Sequence, residues 1–359
     1  MDNYEKIQVI LDAHPSGAPK SPLFDKILRI LFTPEEAAVA ACMNFAPKTA
    51  EAVAKEADLP VERVSGLLEA MAEKAVIFSK VKDGVVRYTL LPTIPGLFEF
   101  PFMRGAMTPE QARLGKLWKE YHHEALAASF AGSETPLARV IPVEESIDAR
   151  HAVHPYEEVS KLIAMADFIA VAQCACRVSV GACDKLREAC LIFDAPGRFL
   201  VERGFARPLT AAEALDVLDR AEEAGLIHVS NNSADRANFI CNCCSCCCTI
   251  LRGETELHLP HAFARSAFAA RIDDALCTSC GICADERCPM GAIDAGDTSY
   301  TVDAETCVGC GLCISSCPVD AITLERREET TVIPATTRDM GMRVLSEKGK
   351  LEAFLRAMK

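Results

Sequence analysis

The chain has 359 residues, half of them hydrophobic and a quarter charged, and a formal net charge of -13. That length allows two or three domains with separate cores, and the acidic balance argues against non-specific nucleic-acid binding and for basic or small-molecule partners. No uncharged stretch is long enough to span a bilayer. Met1 to Ile10 mixes Asp2, Glu5 and Lys6 with apolar residues, unlike the apolar core of a secretion signal. A cytoplasmic protein is expected, and there its 19 cysteines read as metal ligands or redox thiols rather than disulfides.

Along the chain, Thr33-Pro34-Glu35-Glu36 places an N-cap before an N1 proline and predicts a helix over 34–44. A second helix is predicted over 48–57. A third runs from Val61 to Ala75, with Val64, Leu67, Leu68 and Met71 on one face. Val76 to Val81 and Val85 to Leu91 flank an Asp83-Gly84 turn and predict a hairpin. Three helices and a hairpin resemble a winged helix-turn-helix domain. The charge of its helices disfavours DNA: Lys48, Lys55, Arg63 and Lys74 are outnumbered by Glu51, Glu56, Asp58, Glu62, Glu69 and Glu73. Cys42, in a helix among alanines, is expected to be a core residue.

Pro92, Pro95 and Pro101 mark a linker. Residues 107 to 130, with Trp118, Tyr121, His122 and His123, read as a polar helix with a solvated face. Phe168 to Ala172 reads as a buried strand or helix start. Thr210-Ala211-Ala212-Glu213 is a capping box opening a helix that ends near Gly225. His228, His258 and His261 read as surface or packing residues. After a charged run from Glu325 to Glu329, a helix is predicted from Asp339 to Met358, with an apolar side that packs on the body or on a partner.

The cysteines are clustered. Cys42 stands alone. Cys174, Cys176, Cys183 and Cys190 form one group, with Cys183 and Cys190 at a spacing that would share a helix face. Cys241, Cys243, Cys244, Cys246, Cys247 and Cys248 form a second. The remaining eight fall in two segments thirty residues apart. The first is Cys277-Thr-Ser-Cys280-Gly-Ile-Cys283-Ala-Asp-Glu-Arg-Cys288-Pro289, and the second is Cys307-Val-Gly-Cys310-Gly-Leu-Cys313-Ile-Ser-Ser-Cys317-Pro318.

Over about residues 268 to 326 these segments resemble the bacterial two-cluster ferredoxins. The resemblance implies two [4Fe-4S] clusters, each taking three thiolates from one C-x2-C-x2-C loop and the fourth from the Cys-Pro of the other. One would use Cys277, Cys280, Cys283 and Cys317, and the other Cys307, Cys310, Cys313 and Cys288. Gly281 and Gly311 let the backbone turn tightly after the second cysteine. The first repeat departs from the family pattern by one extra residue before Cys288, at Ala284 to Arg287, which predicts a bulge that tunes a cluster or forms a docking surface.

The ten middle cysteines (Cys174, Cys176, Cys183, Cys190, Cys241, Cys243, Cys244, Cys246, Cys247 and Cys248) match no standard short motif. At least one further iron-sulfur cluster drawn from them is favoured over a structural zinc site, a redox dithiol or simple packing. Arg177 and Arg252 could offset the negative charge of a thiolate-bound cluster.

The expected fold class is α+β: a winged-helix-like domain over 1–100, a mixed α/β Cys-rich middle domain over 101–265, a ferredoxin-like domain over 266–326 and a tail helix within 327–359. The expected role is electron transfer, alone or as a subunit of an anaerobic oxidoreductase, serving a redox partner protein as a homodimer or within a complex. A reductase with a catalytic middle cluster and a redox-responsive transcription regulator are the alternatives.

Overall fold

A computed structural model describes residues 1–147, 153–328 and 332–358; Glu329, at the end of the charged run, lies outside them. Near the N-terminus, helices Pro34–Ala40, Ala50–Ala57 and Val61–Glu73 precede strands β1 (Ile77–Lys82) and β2 (Val85–Leu90). These two strands pair antiparallel. Asp83 and Gly84 both have positive φ, 53° and 75°, as the tight turn of such a hairpin requires. The first of these helices is opened by a reciprocal cap between Thr33 and Glu36, with Pro34 in its first turn. It ends at Ala40, short of 44, so Cys42 lies just beyond it and is only partly buried.

The centre of the molecule is a six-stranded sheet. Its strands are β3 (Ala138–Ile141), β4 (Ile169–Gln173), β5 (Glu188–Phe193), β6 (Ala206–Leu209), β7 (Ile227–Asn231) and β8 (Phe239–Cys243). They stand in the order β3-β7-β8-β5-β4-β6, antiparallel throughout. Side chains alternate across it. Ile169, Val171, Leu191 and Phe193 pack on one face with Val217 and Leu218 of helix Ala211–Glu223. Ala172, Cys190 and Ile192 join the opposite core, which is continuous with Tyr4, Phe24, Phe102 and Trp118. The N-terminal helices and residues 98–130 therefore cover one face of the sheet.

This burial corrects the expectation for residues 107–130. Helix Pro109–Tyr121 is not a solvated element: Leu114, Leu117, Trp118 and Tyr121 form its buried stripe, and His122 follows them inward. The stripe has helical spacing, and Phe24 stacks on Tyr121 at 4.8 Å.

The C-terminal module carries β9 (Phe268–Ile272), β10 (Ile293–Ala295), β11 (Tyr300–Val302) and β12 (Ile322–Arg326). β9 pairs with β12 and β10 with β11, both antiparallel. Beyond it, two helices replace the single one predicted, Thr337–Glu347 and Leu351–Ala357. Gly349 takes a positive φ of 66°, and the Lys350 N–H closes back on the Leu345 carbonyl at 2.8 Å, a glycine-terminated stop. The first tail helix packs on the body through Met340, Val344 and Leu345. Lys348 Nζ donates to the carbonyls of Pro15 (2.7 Å) and Ser129 (2.5 Å), and Glu347 accepts from Thr135 N–H and Oγ1 at 2.8 and 2.7 Å.

Lys348→Met is expected to lose about 2 kcal/mol of tail docking, the scale of charge-assisted hydrogen bonds at a mostly buried site. Hydrogen exchange should then speed up in Thr337–Glu347 and leave the sheet protected.

Candidate metal centres

The two cysteine repeats fold as near copies. Gly281 and Gly311 both adopt φ of 81°, the left-handed turn expected after the second cysteine of each loop. The Cys288 and Cys317 sulfurs each accept a backbone N–H at 3.3 Å, from Ala292 and Ala321 respectively. A cavity is lined by Cys277, Cys280, Cys283 and Cys317. A second is lined by Cys288, Cys307, Cys310 and Cys313. Each cavity thus gathers three cysteines of one repeat and the fourth from the other. The donor set, four thiols around a hole with amide N–H groups aimed at sulfur, fits a cubane cluster. Burial pushes the Cys310 thiol up to about 12, so a thiolate there depends on a cation taking the proton's place.

The two cavities differ in setting. Cys280 is exposed, and its loop bonds within the module, as in Ser279 Oγ to the Thr298 carbonyl at 2.8 Å. The Cys307–Cys313 loop is instead tied to the rest of the chain. The Cys310 carbonyl accepts from Val143 N–H at 2.9 Å, and the Gly311 carbonyl from Ser146 Oγ at 3.0 Å. Within the module, Ser266 Oγ donates to the Gly309 carbonyl at 2.7 Å. Gly309 has a φ of 67°, and a methyl group there would overlap the Phe268 carbonyl and Ser266 Oγ.

The extra residue of the first repeat is absorbed as a wide turn. Cys288 N–H reaches the Cys283 carbonyl at 3.0 Å, whereas Cys317 N–H reaches Ile314 at the same distance. The widening carries Arg287 toward the sheet domain. Its guanidinium donates to the Glu222 and Glu223 carbonyls, both at 3.0 Å, and to the Leu312 carbonyl at 3.2 Å. A cation on the last carbonyls of helix Ala211–Glu223 also favours the helix dipole. The bulge is a docking device inside the chain.

The ten middle cysteines separate into two groups, a partition that their order along the chain conceals. Cys183 and Cys190 do not share a helix: Cys183 lies in the loop after helix Ala175–Val180, and Cys190 lies in β5. Cys183, Cys244, Cys246 and Cys247 gather with all four sulfurs within 4.8 Å of one another. Among the described residues, this is the one set of metal-binding side chains so close together.

The other six form a chain of sulfur contacts. Cys174 touches Cys176, which touches Cys248. Cys248 lies 3.3 Å from Cys243. Cys243 touches Cys241, and Cys241 lies 3.8 Å from Cys190, its cross-strand partner. Cys176, Cys190 and Cys241 border the core under the N-terminal cover, and Cys243 and Cys248 lie in the neighbouring core with Val308 and Leu312. Hydrogen bonding with Cys176 and Cys243 lowers the Cys248 thiol, and hydrogen bonding with Cys190 and Cys243 lowers that of Cys241 well below the ordinary range.

Arg177 lies between the two groups, fully buried. It donates to the Asn242 carbonyl at 2.9 Å and reaches Cys244 Sγ at 3.8 Å. Its Nε and Nη2 have no hydrogen-bond partner. Burial works against its charge, but the sulfurs of Cys174, Cys244 and Cys243 outweigh that and hold it charged more firmly. Arg252 differs: Glu256 pairs with it at 2.7 Å, and His123 lies 2.6 Å away. His228, also buried, bonds Asn242 at 2.6 Å and Glu222 at 2.8 Å as a packing residue. No helix is long and apolar enough to cross a membrane among the described residues.

The repeated loops and their cavities define an iron-sulfur electron-transfer protein. Residues 270–324 match the family described as 4Fe-4S dicluster domain, and the chain belongs to the dicluster ferredoxins through this C-terminal module. Ferredoxin-2 of Chlorobaculum tepidum is 45% identical over 60 residues, 94% of its length and 15% of this chain. The pyruvate synthase subunit PorD of Methanothermobacter marburgensis is 38% identical over 61 residues, 70% of its length and 17% of this chain. No solved structure matches the chain.

Gly309→Ala is expected to displace the Cys307–Cys313 loop, through positive φ and backbone overlap together. Protein isolated anaerobically should carry about four fewer iron atoms per chain, while Gly66→Ala, at a position with open space, should leave the iron content unchanged.

Proposed function

We propose that this protein is an electron-transfer subunit of an anaerobic, cytoplasmic oxidoreductase, and that its ferredoxin module is a wire from a surface partner to metal centres in the sheet domain. One [4Fe-4S] cluster is assigned to Cys277, Cys280, Cys283 and Cys317, and the other to Cys307, Cys310, Cys313 and Cys288. At least one further iron-sulfur centre is assigned to the six-thiol group. The carrying observation is the asymmetry of the module: Cys280 is at the surface, while the Cys307–Cys313 loop is bonded to the sheet domain. Electrons entering at the exposed site would leave through the docked one.

Three observations support the finer reading. Six thiols exceed the four that one tetrahedral ion uses. The unpartnered charge of Arg177 calls for anionic metal-thiolate groups beside it. Val308 and Leu312 of the inner loop share a core with Cys243 and Cys248, so the inner cluster and the six-thiol group are neighbours. PorD, named as a pyruvate synthase subunit, supports a place within a multisubunit enzyme. Asp274, Asp285 and Glu286, exposed around the outer loop, suit a partner with a basic contact surface.

The winged-helix-like segment serves as a cover rather than a DNA reader. Arg203 of the sheet domain holds Glu69 and Glu73 of its third helix, so the acidic side of that helix is engaged inside the chain.

Anaerobic isolation, iron and sulfide analysis, and EPR after reduction test this reading. Two spin-coupled clusters plus a third signal are expected, with clearly more than about eight iron atoms per chain; a content of only about eight would remove the middle centre. Arg287→Ala is expected to weaken docking of the module by about 1–2 kcal/mol, seen as faster hydrogen exchange at the end of helix Ala211–Glu223 with both ferredoxin clusters still present.

A further inference from the structure

Among the described residues, the cage of Cys183, Cys244, Cys246 and Cys247 is the one set of thiols gathered with every sulfur within 4.8 Å of the others. Cys183 Sγ lies 3.8 Å from those of Cys244 and Cys247, and Cys246 Sγ lies 3.8 Å from that of Cys247. Four sulfurs bound at about 2.3 Å to one tetrahedral ion stand about 3.8 Å apart along each edge. Thiolates on a cubane stand roughly 6 Å apart, because each lies outside its own iron corner. The ferredoxin cysteines instead line two separate cavities, four to each. The cage has room for one ion.

We propose that these four cysteines form a mononuclear tetrathiolate site for a single soft divalent ion, zinc or ferrous iron, distinct from the iron-sulfur centres. Tetrahedral all-sulfur coordination is the chemistry those ions select. Loading releases the thiol protons and leaves the complex with two net negative charges. Arg177 meets that charge: it is fully buried, its Nη1 lies 3.8 Å from Cys244 Sγ, and its Nε and Nη2 are unpartnered.

Four protein ligands fill the tetrahedron and leave no open position for substrate, so the site is structural. Its place in the fold says what it holds. Cys183 comes from the loop before β5, and the other three come from the turn after β8. Cys244 and Cys247 pack on Ala221 and Leu226, at the end of the helix whose last carbonyls bond Arg287. One ion would pin two loops together beneath the surface on which the ferredoxin module docks.

The test is metal and acid-labile sulfide analysis of the anaerobically purified full chain, with and without Cys183→Ser/Cys246→Ser. The expected result is one zinc, or one iron in excess of the sulfide-matched iron, in the wild type. The variant should lose that ion with its sulfide unchanged. Zinc analysis separates the two metals. A sulfide loss of about four per chain in the variant would instead place a cubane in the cage and overturn the proposal, as would an unchanged metal content. Should the double variant fail to fold, X-ray absorption of the wild type at the zinc edge decides between a metal-sulfur shell at about 2.3 Å and its absence; wild type without zinc is read at the iron level by the same excess over sulfide. If the six-thiol centre proposed above is absent, total sulfide stays near eight while the single ion is still found, so the two readings fail separately.

Discussion

A guanidinium buried without a carboxylate is the constraint around which the middle of this molecule is arranged. Isolated charge in a low-dielectric interior is costly by several kcal/mol even after relaxation. Arg177 is fully buried with two unpartnered nitrogens, and thiol sulfur is what surrounds it. Arg252 is buried almost as deeply but faces Glu256, so its charge is already met. The difference leaves Arg177 facing the sulfurs of Cys174, Cys243 and Cys244, between the two cysteine groups.

The second organising contact is the docking of the ferredoxin module. The inner loop's carbonyls accept from Val143 N–H and Ser146 Oγ, and Arg287 caps a helix of the sheet domain. One additional residue before Cys288 suffices for this, because a wide turn carries the side chain outward while the cysteine keeps its place beside the cavity. The module thereby gains a direction, with an outer and an inner end.

Much of the framework could be read from local pattern. The hairpin at Asp83-Gly84, the N-cap at Thr33 and the capping box at Thr210 all depend on neighbours within a few residues. Their physics is contained in short segments, and the structure agrees with each. The misreadings share a cause. Helix Pro109–Tyr121 looked solvated because its polar residues are numerous, yet Phe24, far away in sequence, covers its stripe. The tail helix looked continuous because a single glycine is tolerated in a helical pattern, until Gly349 was seen to close it. Cys183 and Cys190 looked paired by spacing, but one is in a loop and the other in a strand.

The sequence by itself determined that this chain carries a two-cluster ferredoxin module, because a C-x2-C-x2-C loop followed by Cys-Pro contains nearly the whole first coordination shell of a cluster in a dozen residues. Only the tertiary structure decided how the ten middle thiols divide, six against four. Strand pairing of Cys190 with Cys241, and closure of a loop over the turn after β8, bring together sulfurs that are some sixty residues apart, from Cys183 to Cys244. Such contacts arise from sheet register and layer packing, and neither is written in the spacing of the cysteines.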